Sequence, residues 1–157
     1  MSQVYSVQEA TRKLENYCAY QERSHTEVVE KLRSMGMIQQ VIDTITVHLI
    51  EHNFLNEERF AMTFARGKHR IKHWGKIRIA NELKQRNISQ RNITSALNQF
   101  PIDEYAALFH ETAEKHWASI PERNTLKKRK KFCDFLLRKG FESQMVYEKV
   151  RELEKGE

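Results

Sequence analysis

Three groups of residues in this chain have types and spacings that chemistry could use: paired histidines, an acidic pair and two concentrations of cations. His48 with His52, and His69 with His73, stand four residues apart, the separation that places two imidazoles on one helix face and can hold a metal. Neither pair has the intervening glutamate of a zincin or a nearby cysteine ligand, so His69 and His73 are read as polar members of a basic face. Glu57-Glu58 follows Asn56, where carboxylates favour the positive end of a helix dipole. Cys18 and Cys133 each lie in an apolar stripe outside any CxxC or Cys/His cluster, and are expected as buried free thiols. With no glycine-rich phosphate loop and no convergent acid, base and nucleophile, the expectation is a non-enzymatic protein without metal or cofactor.

The cations carry more information. From Arg59 to Arg91 the chain places Arg66, Lys68, Arg70, Lys72, Lys76, Arg78, Lys84 and Arg86, opposed within that stretch by Glu82 alone. A second run, Lys127, Lys128, Arg129, Lys130 and Lys131, follows in the last third, whereas Glu148, Glu152, Glu154 and Glu157 close the chain. With 27 Lys and Arg against 21 Asp and Glu, the net charge of +6 is polarised along the sequence. That balance points to a polyanion or an acidic surface as partner. Phosphate contacts from such residues give affinity without sequence preference and a steep dependence on salt. Trp74, directly before Gly75, is read as a packing wedge in preference to a base-stacking platform.

The elements that must position these residues are written in a phrase repeated three times: Leu32 with Gly36 and Met37, Leu83 with Asn87 and Ile88, Leu136 with Gly140 and Phe141. Gly and Asn adopt left-handed backbone cheaply, so each copy reads as a helix stop. Met37 with Ile42, Ile88 with Ile93 and Phe141 with Val146 have the spacing of a hydrophobic staple that fixes the entry of the next helix. Ser6 with Glu9 and Ser24 with Glu27 read as capping boxes. An amphipathic segment precedes each pair, so the spacing predicts helices over 7–22, 25–35, 39–51, 57–71, 75–86, 90–99, 103–118, 125–139 and 143–154. The fold expected is all-α, an elongated curved array of three tandem three-helix repeats over 1–53, 54–101 and 102–157. The helix–turn–helix from Lys76 to Asn98 invites comparison with a DNA reader, but the same turn recurs in every unit, which argues for scaffold first. No apolar run approaches the roughly 18 residues that span a membrane, and Met1-Ser2-Gln3 opens no signal peptide, so a cytoplasmic protein is expected.

Phe54-Leu55-Asn56-Glu57-Glu58-Arg59-Phe60-Ala61, followed by Trp74-Gly75-Lys76-Ile77-Arg78 and by Glu82-Leu83-Lys84-Gln85-Arg86-Asn87-Ile88, resembles the central signature of the RecX family of bacterial regulators of the RecA recombinase. Arg23-Ser24-His25-Thr26-Glu27 is similar to the start of that family's first-repeat middle helix. Asn56 and Glu57 stand where the family often has paired Asp, Lys76 where it often has Pro, and Asn87 where Gly is usual. The resemblance implies a monomeric, non-enzymatic regulator that binds the RecA–DNA filament and inhibits or remodels ATP hydrolysis and strand exchange in recombination and DNA repair. Arg66, Arg70, Lys72, Lys76, Arg78, Lys84, Arg86 and Lys127 to Lys131 are the residues expected to carry that contact, to RecA, to DNA or to both. A direct, sequence-tolerant DNA-binding module is the alternative that the charge alone supports.

Overall fold

The structure, a computed structural model describing residues 4–156, has nine helices and no strand among those residues. They are α1 (Val7–Tyr20), α2 (His25–Ser34), α3 (Gln39–Glu51), α4 (Glu57–Lys72), α5 (Lys76–Gln85), α6 (Gln90–Asn98), α7 (Ile102–Ser119), α8 (Thr125–Lys139) and α9 (Ser143–Lys155). Every predicted helix is present with ends within two residues. Ser24 and Glu27 form the full reciprocal capping box, whereas Ser6 only accepts from the Glu9 N–H.

The three repeated stops close their helices with matching hydrogen bonds. Met37 N donates to Leu32 O at 3.1 Å, Ile88 N to Leu83 O at 3.1 Å, and Phe141 N to Leu136 O at 3.2 Å. Gly36, Asn87 and Gly140 between them sit at φ +81°, +60° and +96°. This is the Schellman closure, which satisfies carbonyls that the helix end would orphan and turns the chain sharply. Asn53 and His73, at φ 62° and 58°, end α3 and α4 by left-handed residues too, two stops outside the repeated phrase.

Behind the turns lie three apolar clusters. Leu14, Leu32, Ile45 and Leu49 anchor the first, with Leu55 from the connection to α4 joining it. Phe60, Ile79, Leu83 and Ile93 anchor the second, and Phe109, Trp117, Phe132 and Phe141 the third. Each fully buried side chain of this size contributes about 1.5–3 kcal/mol, so each trio of helices has its own source of stability. Every close helix pairing falls inside one repeat. The accessible surface, 10111 Å², exceeds the roughly 8,300 Å² of a compact monomer of this mass, as an elongated array requires. No helix among the described residues is long and apolar enough to cross a membrane.

Successive repeats meet through their middle helices, α2, α5 and α8, which follow one another head to tail. The C-terminal end of α5 meets the start of α2, where Thr26 Oγ1 donates to Arg86 O at 3.2 Å and Asn87 Nδ2 reaches Thr26 Oγ1 at 3.4 Å. The C-terminal end of α8 meets the start of α5 in the same way, but backbone to backbone. Gly75 N donates to Lys139 O at 2.7 Å and Ile77 N to Gly140 O at 3.0 Å.

Candidate polyanion interface

The α8–α5 junction brings together cations from three helices. The first N–H groups of α5 have no intrahelical partner and no side-chain cap, and the orphan carbonyls at the end of α8 supply what they lack. Lys76 N completes the set by donating to the Tyr105 hydroxyl at 3.0 Å, a bond that proline at this position could not make. Tyr105 in turn donates to Glu142 Oε1 at 2.7 Å. Backbones approach this closely because both meeting residues are glycine: a Cβ on Gly75 would lie 2.4 Å from the Gly140 carbonyl carbon, and one on Gly140 would lie 2.3 Å from Arg78 Cβ.

Around this contact gather Lys72 from the end of α4, Lys76 and Arg78 from the start of α5, and Arg138 and Lys139 from the end of α8. Arg78 donates to Arg138 O at 3.2 Å, and Lys139 Nζ donates to Lys72 O at 2.9 Å. None of the five has an acidic partner within ion-pair distance among the described residues. Partial burial pushes the Lys139 ammonium pKa down, and the nearby charges of Arg78 and Lys72 push it the same way. Such crowding costs free energy that an incoming anion would return. Trp74 packs on the second core, as the sequence suggested, in a T-shaped arrangement with Phe64. Its half-buried ring also carries Arg78 at 4.1 Å and Lys68 at 5.1 Å.

The residues singled out from the sequence therefore separate into groups. Lys72, Lys76 and Arg78 converge at the junction. Arg66 and Arg70 lie beside a small cavity of about 90 Å³ with Gln99, Glu104 and Tyr105, where Arg66 Nε reaches Gln99 Oε1 at 3.4 Å. Lys84 and Arg86 sit at the other end of α5, with Arg86 bonded to Glu82 Oε2 at 3.0 Å. The α8 run is largely neutralised: Arg129 holds Glu154 at 2.6 and 2.8 Å, Lys130 holds Asp134 at 2.8 Å, and Lys131 lies 3.7 Å from Glu122. Lys128 lies over the Trp117 ring at 4.0 Å, and Lys127 is exposed. At 1.5 Å of rise per residue, Lys127 and Lys139 are about 18 Å apart along α8, so it is the far end of the helix that reaches the second repeat. Arg138 and Lys139 were passed over in the sequence; their place just before the Gly140 stop was the available signal.

Two histidines need correction. His69 is buried, with Nδ1 2.7 Å from Trp74 O and its ring stacked on Tyr105 and tilted against Phe100. Burial, with His73, Lys76 and Arg70 nearby, holds its pKa below the ordinary histidine value despite the Trp74 bond, so it adds no charge to a basic face at neutral pH. His73 is the left-handed cap of α4 and its Nδ1 lies 3.0 Å from Thr112 Oγ1. Both work at the junction of the second and third repeats. The cysteines are buried free thiols, and burial raises Cys18 to about 11, leaving it unreactive.

Residues 56–97 match the family model described as RecX, second three-helix domain, and residues 103–150 match RecX, third three-helix domain. The chain belongs to the RecX family. "Regulatory protein RecX" of Bacillus cytotoxicus is 26% identical over 94% of this chain, and that of Pelodictyon phaeoclathratiforme is 29% identical over 82%. The aligned part is 54% of the Bacillus protein's length and 80% of the Pelodictyon protein's. Among solved structures, RecX from Lactobacillus salivarius superposes with a TM-score of 0.76 at 25% identity over 94% of this chain and 96% of that one. A crystal structure of regulatory protein RecX superposes with 0.77 at 26% identity, covering 93% and 71%.

The RecX-like stretch Asn56-Glu57-Glu58-Arg59 proves structural at each position with a defined partner. Asn56 caps α4, and Glu57 accepts from the Ser89 N–H at 3.3 Å and from Asn92 Nδ2 at the start of α6. Burial alone would raise the Glu57 pKa, but those two hydrogen bonds outweigh it and the net shift is downward. Arg59 bonds Glu22 Oε1 at 2.6 Å, Asn53 O at 3.0 Å and Phe54 O at 3.3 Å, tying the connection between the first two repeats to the end of α1.

Proposed function

We propose that this chain is a non-enzymatic regulator that binds the RecA–DNA filament and modulates, mainly by inhibition, its ATP hydrolysis and strand exchange. It acts as a monomer in the cytoplasm. Family membership supports the regulatory role, and one observation supports the polyanion contact: Lys72, Lys76, Arg78, Arg138 and Lys139 crowd the α8–α5 junction without acidic partners. A rigid array that presents this group beside further cations on α4 and at the end of α5 would meet several phosphates or protomers together, with avidity gains of about 10²–10⁴ where the geometry matches. Among the described residues no group of His, Cys, Asp or Glu is arranged to hold a metal.

The test is RecA ATPase on single-stranded DNA with sub-stoichiometric protein, for the wild type and for the Arg78→Glu, Lys139→Glu pair. Inhibition by the wild type, lost in the pair while helix content is kept, is expected; an unchanged ATPase rate with wild-type protein would reject the reading. The half-exposed Trp74 between Lys68 and Arg78 favours a second reading, direct sequence-tolerant DNA binding through stacking and phosphate contact. That reading requires tight binding to bare DNA that falls steeply with salt, losing about one unit of log–log slope for each phosphate contact removed.

A further inference from the structure

His69 is a buried group that neither the fold nor the basic junction uses in full. Its side chain is 4% exposed and held by two rings, stacked on Tyr105 at 5.1 Å and tilted against Phe100 at 4.5 Å. A carbonyl oxygen only accepts, so the 2.7 Å contact with Trp74 O puts the ring proton on Nδ1. Nε2 of the neutral imidazole then carries a lone pair, and it has no hydrogen-bond partner among the described residues. Nor is it sealed from solvent, as the unpartnered Glu22 Oε2 is. The ring lines the cavity of about 90 Å³ between α4, the connection from α6 to α7, and α7 itself. That volume is several times the ~10–15 Å³ that one water needs, which is room for a tetrahedral oxyanion. Arg66 and Arg70 share a helix face with His69 by their i, i+3, i+4 spacing, and both line the same cavity. Arg66 makes one hydrogen bond, to Gln99 Oε1, and Gln99 is fixed by donating to Met62 O at 3.0 Å and Ala96 O at 2.8 Å. Arg70 has no hydrogen-bond or ion-pair partner among the described residues. Glu104, exposed and without an ion pair, is the single carboxylate of the lining, so the two guanidinium groups keep the cavity positive.

We propose that this cavity is a phosphate site selective for the protonated, monoester-type anion, whose charged oxygens accept from Arg66 and Arg70 while its O–H donates to His69 Nε2. Any anion oxygen that approaches Nε2 needs one proton between the two atoms. Inorganic phosphate and a terminal phosphoryl group bring that proton with them just below neutral pH, the second pKa of a phosphomonoester being about 6. A sulfate ion or a phosphodiester brings none and depends on the imidazolium, which burial and the charges of His73, Lys76 and Arg70 hold back. The groups around the ring are Arg66, Arg70 and His73 from α4 and its cap, Lys76 at the start of α5, and Glu104 and Tyr105 from α7; Glu104 is the one carboxylate among them. Tyr105 gives its hydroxyl to Glu142, which leaves its ring as the wall. The site uses none of the five cations at the α8–α5 junction and does not rest on the filament reading.

The test titrates the full-length chain, labelled with nitrogen-15, with inorganic phosphate and with sulfate at matched ionic strength and about pH 6.5. Saturable shifts of the His69 imidazole and of the Arg70 and Gln99 amides are expected with phosphate. Sulfate should bind at least about fivefold more weakly, a gap that closes as pH falls and the imidazolium forms. Arg66→Gln and Arg70→Gln should each weaken phosphate binding about tenfold, whereas Glu104→Gln, by removing the opposing charge, should strengthen it about threefold. His69→Phe keeps a ring against Tyr105 and Phe100 and should erase the preference for phosphate over sulfate, as read at Gln99. Equal affinity of the wild type for the two anions overturns the proposal, as do shifts that never saturate and spread over the surface cations alike. A short single strand with a terminal phosphate, beside the same strand ending in a hydroxyl, separates two sources of the ligand. A His69 shift with the phosphorylated strand alone assigns the site to strand ends; a His69 shift with inorganic phosphate and with neither strand assigns it to the free ion.

Discussion

At Gly75 a single methyl group decides whether the second and third repeats can meet. An added Cβ would collide with backbone atoms of Gly140 and Phe141 at 2.4–2.5 Å, and backbone cannot swing aside as a side-chain end can. Gly75→Ala should therefore cost about 2–3 kcal/mol. Gly36 has open space around its Cβ position and only its φ of +81° to defend, so Gly36→Ala should cost about 1 kcal/mol. Urea unfolding midpoints of the two variants check the contrast, and equal losses would contradict it. His69 gives a second test at this scale. Its folded pKa lies below the unfolded value of about 6.5, so below that pH the unfolded chain holds more protons and stability falls as pH drops, by up to about 1.4 kcal/mol per pH unit. His116, lowered by burial and by Arg138, acts in the same direction. His69→Phe preserves an aromatic ring for Phe100 and Tyr105, and should shrink the loss of Tm between about pH 7.5 and 5.5; a loss equal to the wild type's would mean that the folded protein tolerates the imidazolium.

The helices themselves were almost wholly legible, because each is fixed by local signals: Ser24 and Glu27 before α2, Ser89 before α6, Gly36, Asn87 and Gly140 at the ends. What the sequence concealed was how helix ends find one another. Gly75 reads as a turn residue, and nothing near it announces that its partner is Gly140, sixty-five positions later. Tyr105 reads as one more apolar residue of α7, yet its hydroxyl connects the start of α5 to Glu142 before α9. Burial raises its pKa first and foremost, with Glu142 adding to the effect, so it remains a donor throughout the stable pH range. Tyr105→Phe leaves the Lys76 N–H and the Glu142 carboxylate without this shared partner. A loss of about 1–3 kcal/mol is expected in chemical denaturation, with helix content unchanged; a neutral result would show that solvent satisfies both groups equally well.

Across the whole molecule the two junctions differ in kind. The third repeat is joined to the second by backbone hydrogen bonds and a shared aromatic cluster of Phe100, His69, Tyr105 and Phe141, whereas the first is held by Arg59, Thr26 and Asn87 side chains. Amide hydrogen exchange should accordingly find an opening of α1 to α3 at lower free energy than any opening of α5 or α8, and Arg59→Ala should lower it further. Uniform protection across the three repeats would refute this. The polarised charge was legible in the sequence, but its focus was not: Lys127 to Lys131 were the obvious run, and the fold spends three of them on Glu154, Asp134 and Glu122 while bringing Arg138 and Lys139 to Lys72 and Arg78. End-to-end stacking of α2, α5 and α8 also makes the array a kind of screw, in which the length of α5 sets the angular phase of everything beyond it. One residue more or less in that helix would turn its end by about 100° relative to its start. The three repeats could still fold and the cations at the start of α5 would stay together beside the end of α8, yet the first repeat, joined to the far end of α5, would face another way.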